Sequence, residues 1–174
     1  MKNCSLCNPW YAGRKTSQCD FCENTKQKSV YLCGPIDGVT PEWATEWRDK
    51  AFKGLCQQYI IQNPCWGKDL HAIGINDTIY TPKEIVETDL ALIAEADILL
   101  VDWRSMFEGN YEILETPNEP LRVGTIMEIV YAKQLGKKVI VFGGLRKGYW
   151  LRFHADMMFD TLDDALGYMQ AEGV

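Results

Sequence analysis

Ile98-Leu99-Leu100-Val101-Asp102 is a run of four apolar residues closed by an acid, and its lack of alternation decides the class of fold. A strand with one wet face alternates apolar and polar residues, because successive side chains point to opposite sides. An unbroken apolar run of this length suits a strand covered on both faces, as in a parallel sheet between two layers of helices. Its neighbours in sequence agree. Upstream, Thr81-Pro82-Lys83-Glu84 fits a capping box with proline at the first helical position, and Ile85, Leu92, Ile93 and Ala96 continue one apolar face. Downstream, Gly124 opens a helix running to Gly136, and Lys138-Val139-Ile140-Val141-Phe142 is another strand, ended by Gly143-Gly144.

The same alternation of elements extends to both sides. Val30-Tyr31-Leu32-Cys33 ends at Gly34-Pro35 as a buried strand does. Thr40 can cap a helix with Pro41 at its first position, followed by Trp43, Trp47, Ala51 and Leu55 at spacings of four and ending near Gln57. A strand at Tyr59-Ile60-Ile61 comes next. The tail reads as a helix near Tyr149, a short strand near Met158 and a last helix started by Thr161 or Asp163. Strands alternating with helices predict a doubly wound α/β fold, flavodoxin- or Rossmann-like, with about five parallel strands over residues 29–174. Ligands in such sheets sit beyond the carboxyl ends of the strands, where the strand order reverses. Three such ends carry chemistry: Gly34-Pro35-Ile36-Asp37, Asp102, and the stretch from Arg122 to Glu128. The long loop at 63–80 is expected to line the site, and a second polar loop spans 104–120.

Composition bounds the rest. At 174 residues, 47% of them hydrophobic, one good core and one main domain are expected. A net charge of −6 and a pI near 5.0 supply no basic field for a phosphate backbone, which disfavours nucleic acid but leaves room for a small anionic ligand. No apolar run approaches the roughly 20 residues of a bilayer span. The polar start Met1-Lys2-Asn3-Cys4 lacks a signal peptide's apolar stretch, so a cytoplasmic protein away from membranes is expected.

Four of the seven cysteines form two pairs, Cys4-x-x-Cys7 and Cys19-x-x-Cys22. Each two-residue spacer lets a tight turn present two sulfurs to one ion, and four thiolates suit tetrahedral Zn²⁺. Reduced thiols and two disulfides are the other readings, and a reducing cytosol disfavours the second. Residues 1–26 are polar and could hardly form a core without metal, so they read as a zinc ribbon or knuckle, structural in role. The local basic residues Lys2, Arg14, Lys15, Lys26 and Lys28 leave a docking role open for this segment. No organic cofactor is expected. Cys33, Cys56 and Cys65 lack paired spacing and are expected to be buried small hydrophobes.

Val123-Gly124-Thr125-Ile126-Met127-Glu128 puts a carboxylate in the first turns of a helix after a glycine-marked loop, where the helix N-terminus would favour the anion. Such a carboxylate can attack an anomeric carbon, or merely match the helix dipole. Taken together and in order, Tyr31-Leu32-Cys33-Gly34-Pro35-Ile36-Asp37-Gly38, Glu87-Thr88-Asp89-Leu90 and Gly124-x-x-x-Glu128-x-x-x-Ala132 resemble the nucleoside 2-deoxyribosyltransferase family and its relatives, the 2'-deoxynucleoside 5'-phosphate N-hydrolases. The resemblance covers roughly residues 29–170.

That resemblance implies an enzyme that cleaves or transfers an N-glycosidic bond, with Glu128 as nucleophile, Tyr31 as the phenol that orients it and Asp89 as the carboxylate assisting departure of the base. Gly34, Pro35, Ile36, Asp37, Asp102, Arg122, Gly124 and Met127 would then contact a nucleoside or nucleotide. Arg122 departs from the pattern. The transferases resemble one another in having an Asp there and the hydrolases a Ser, so a basic fork suits a 5'-phosphate. Arg122 pointing to solvent or pairing with Glu119 is the alternative. The resemblance also implies a homo-oligomer whose sites borrow groups across the interface, with Trp150 to Asp156, including His154, as the stretch to lend them. A non-catalytic nucleotide sensor is the reading from another class, and retention of Tyr31, Asp89 and Glu128 together speaks against it.

From the cysteine spacing we predict one zinc ion per chain on Cys4, Cys7, Cys19 and Cys22. Removing it should disorder the first 26 residues while the α/β core stays folded. Metal analysis of protein purified without chelator checks this, and zinc-free protein would refute it.

Overall fold

The computed structural model describes residues 27–36, 39–70, 80–104, 123–143 and 148–172. The proposed zinc ligands, Asp37 and Arg122 lie outside the described residues. The chain runs β1 (Ser29–Cys33), α1 (Pro41–Leu55), β2 (Ile60–Gln62), α2 (Pro82–Glu95), β3 (Ile98–Asp102), α3 (Val123–Gln134), β4 (Lys138–Phe142), α4 (Tyr149–His154), β5 (Met157–Phe159) and α5 (Leu162–Glu172). The strands form one sheet in the order β2-β1-β3-β4-β5, with every neighbouring pair parallel. The expected doubly wound α/β architecture is therefore present. Strand order reverses at β1 and β3, which places the switch point at their carboxyl ends.

Period-two alternation sorts the core into two layers. Val30, Leu32, Ile98, Leu100, Ile140 and Phe142 pack with residues of α1 and α5. Tyr31, Cys33, Leu99, Val101, Val139 and Val141 face the other way, onto α2, α3 and α4. Every residue of β1 and β3 is buried. Among the described residues no helix is long and apolar enough to cross a membrane.

Helix ends follow local chemistry. The Thr40 hydroxyl accepts from the Trp43 amide at 3.2 Å. At α2, Thr81 and Glu84 form a reciprocal capping box, at 2.8 and 3.2 Å. α3 closes with Gly136 at φ 70°, its amide bonded to Lys133 O and that of Lys137 to Ala132 O, each at 3.0 Å. This is a Schellman stop. The start of β2 differs from expectation. Tyr59 precedes β2, because its amide returns to Leu55 O and its hydroxyl donates to Met169 O at 2.8 Å. The buried residues of α2 are Ile93 and an acid, Asp89.

The carboxyl end of β1 is held from beneath by Arg48, a fully buried residue of α1. Its guanidinium donates to Leu32 O at 3.3 Å, to Gly34 O at 2.8 Å and to Ala44 O. A Cβ on Gly34 would stand 3.0 Å from both Asp102 Cβ and the Trp47 ring, so only glycine lets these elements close up.

Gly143, just after β4, has φ 77°, and a Cβ there would lie 2.8 Å from the backbone N and Cα of Arg104. Gly136 has a similar φ but open space around it. Gly136→Ala should cost only the left-handed penalty, about 1–2 kcal/mol. Gly143→Ala should cost distinctly more, because backbone must move. Urea unfolding midpoints of the two variants check the order.

Candidate active site

Tyr31 and Cys33 stand two apart on β1 and so share the face toward α2 and α3. Both reach Glu128 of α3. The Tyr31 hydroxyl donates to Oε1 at 2.9 Å and the Cys33 thiol to Oε2 at 2.9 Å. Each carboxylate oxygen thus has its own donor from the central strand. Burial, reinforced by the Glu128 charge, raises the Tyr31 and Cys33 pKa values well above their usual ranges, which keeps both as neutral donors. Burial pushes Glu128 up to about 7, with the Asp89 charge adding to it, while the two hydrogen bonds and Arg48 pull the other way.

This arrangement corrects one expectation. Glu128 stands five residues after Val123, beyond the first turn of α3, where the field of a helix end has fallen off. Side-chain donors from β1 stabilise the carboxylate in its place. Cys33, expected to be a buried small hydrophobe, is fully buried and is also one of them. Its position two residues after Tyr31 was the available signal.

Asp89 is buried on α2 and ion-paired at 2.9 Å with Lys68. Burial raises its pKa and Lys68 opposes the rise. Its charge acts on both Tyr31 and Glu128, so the two carboxyl groups lie close enough to interact. Lys68 was not anticipated, since nothing local in sequence ties it to an acid 21 positions later.

The other candidates fall around this centre. Gly34 and Pro35 are buried at the end of β1 and Ile36 is half-buried. Gly124 and Met127 are exposed on α3 beside Glu128. Asp102 is fully buried, and both its oxygens engage Arg104, from Nε at 3.0 Å and Nη2 at 2.9 Å, with the Arg104 amide also on Oδ1 at 3.0 Å. The Arg104 guanidinium lies over the Trp43 ring at 4.8 Å. Asp102 therefore braces the rim of the site through Arg104. Trp150 and His154 are on α4, where the rings stack at 6.1 Å and His154 Nδ1 is 2.8 Å from Trp150 O. Among the described residues no group of three His, Cys, Asp or Glu could hold a metal ion.

Removing the Cys33 donor should raise the Glu128 pKa further. A hydrogen bond to a charged group contributes about 1.5–3 kcal/mol and one pKa unit is 1.36 kcal/mol, so Cys33→Ala should shift it up by roughly one to two units. Cys33→Ser, which keeps a donor, should shift it much less. Carbon-detected NMR titration of the glutamate carboxyls reads both.

Solved structures share this architecture. A conserved protein from Enterococcus faecalis V583 aligns with a TM-score of 0.56 at 13% identity, over 83% of this chain and 98% of its own. A CMP N-glycosidase from Clostridium botulinum aligns with a TM-score of 0.52 at 18% identity, over 83% and 99%. A 2-deoxyribosyltransferase from Leishmania mexicana aligns with a TM-score of 0.55 at 16% identity, over 84% and 99%. No protein-family model and no curated protein matches the sequence. At these identities the likeness establishes the fold.

Proposed function

We propose that this chain cleaves or transfers the N-glycosidic bond of a (deoxy)nucleoside or nucleotide, with Glu128 as the nucleophile. The observation that carries the reading is the grip of Tyr31 and Cys33 on the two Glu128 oxygens at the switch point of the sheet. Two neutral donors orient the carboxylate, and a pKa near 7 leaves a substantial anionic fraction at neutral pH. A Glu128 oxygen attacks the anomeric carbon as the C–N bond breaks through an oxocarbenium-like state, and the electron pair leaves with the base. The resulting glycosyl ester then passes to water, giving hydrolysis, or to a second base, giving transfer. The fold shared with a CMP N-glycosidase and a 2-deoxyribosyltransferase supports this reading.

Hydrolysis of a 2'-deoxynucleoside 5'-monophosphate is the second reading, favoured by the basic residue Arg122 six positions before Glu128. A structural zinc on the four N-terminal cysteines and a homo-oligomer remain part of the proposal. The exposed Tyr149, Trp150 and Phe153 of α4 support the second of these.

Glu128→Gln should abolish turnover and leave ligand binding nearly intact, because an amide keeps the shape but supplies no anionic oxygen. Mass spectrometry of the parent protein quenched during turnover should show a glycosyl or glycosyl-phosphate adduct, whose mass also names the substrate class. Near-parental rates in Glu128→Gln would remove the nucleophile assignment. The folded-state pKa near 7 lies above the unfolded value of 4.5. Glu128 therefore contributes stability that is full below about pH 4.5 and lost as pH rises through 7. The Tm advantage of Glu128→Gln over the parent should accordingly grow between pH 5 and 8.

A further inference from the structure

Lys68 reaches the site on a built platform. Asn63 Oδ1 accepts the Cys65 amide at 2.9 Å, and the Lys68 amide returns to Cys65 O at 3.3 Å. Trp66 packs edge-on against Phe52 of α1 with ring centroids 5.4 Å apart. Tyr80 closes the far side, donating to Gly67 O at 3.2 Å and accepting from the Asp69 amide at 3.3 Å. The turn between β2 and α2 thereby delivers the Lys68 ammonium to Asp89 Oδ1 at 2.9 Å, with both side chains only 11% and 12% exposed. Among the described residues Asp89 Oδ2 has no partner.

Burying such a pair carries a desolvation cost for each ion, and the reaction proposed above has a use for it. A base leaving with the C–N electron pair is anionic unless it gains a proton. An ionised Asp89 alone has none to give. The Lys68 ammonium holds one, 2.9 Å from Asp89 Oδ1.

Resting on the glycosyl-transfer reading, we propose that Lys68 is the proton reservoir for the departing base, with Asp89 as the relay. In the first step the bond from Glu128 to the anomeric carbon forms as the C–N bond breaks. Lys68 Nζ gives a proton to Asp89 Oδ1, the carboxyl turns about its Cβ–Cγ bond, and the departing base takes that same proton from it, leaving an Asp89 carboxylate beside a neutral amine. In the second step water or an acceptor base attacks the anomeric carbon, the ester electron pair returns to Glu128, and the proton released by the acceptor recharges the Asp89–Lys68 pair. Protons and charge balance over the cycle without an outside acid.

The test is a series of substrates whose bases differ in the acidity of the departing nitrogen, turned over by the parent, Lys68→Met and Lys68→Arg. General acid assistance accounts for about 10²–10⁴-fold. Lys68→Met should therefore slow the poorest leaving groups by that order and converge on the parent for the best, giving a steeper leaving-group dependence. Lys68→Arg keeps the positive charge and a hydrogen bond to Asp89 but cannot surrender a proton, so it should behave as Lys68→Met does. Restoration of parental rates by arginine would assign Lys68 to positioning Asp89 alone and overturn the relay. An equal loss across the whole series would overturn it as well. A parent protein that turns over no nucleoside or nucleotide overturns the underlying reading instead, and that outcome is visible before any Lys68 variant is made.

Discussion

A carboxylate can sit in the wall of an apolar core only if its lone pairs are met by donors that stay put. Here the donors are Tyr31 and Cys33, side chains of a strand hydrogen-bonded on both sides, and nearly everything else about the site depends on that grip. A strand flanked by β2 and β3 has little freedom to shift, so the two donors meet Glu128 without reorganisation. The same burial raises the proton affinity of all three groups. Each hydrogen bond moderates the effect for Glu128, which ends near neutrality.

Around this grip the sheet ends are braced by charges that face backbone or one another. Arg48 binds the carbonyls of Leu32 and Gly34, fixing the exit of β1. Asp102 and Arg104 do the corresponding work at β3, locked together side by side and covered by Trp43. Gly34 and Gly143 are the two points where a side chain would stop these elements from meeting. The rim is thus set by close approach of backbone and by these paired charges.

Two buried acids are held by different surroundings. Glu128 is held by neutral donors and ends near neutrality, and Asp89 is held by the Lys68 ammonium. Environments that separate two carboxyl groups in this way are how one site runs nucleophilic and acid chemistry at the same pH.

The sequence by itself determined the layering. Unbroken apolar runs at 30–33, 98–101 and 139–142, with threonine caps and prolines at helix starts, required a parallel sheet covered on both faces, and local rules suffice to read them. Tyr31, Asp89 and Glu128 were legible as a set through the family resemblance, and in the structure Tyr31 donates to Glu128 with the Asp89 charge acting on both. Tertiary structure alone decided how the carboxylates are stabilised. That Glu128 relies on Cys33 and not on a helix end, that Asp102 is committed to Arg104, and that Lys68 crosses from a loop to Asp89 all depend on contacts between segments remote in the chain. A hydrogen bond or ion pair leaves no periodicity behind it. Burial does, which is why the fold could be read along the chain and the electrostatics of the site could not.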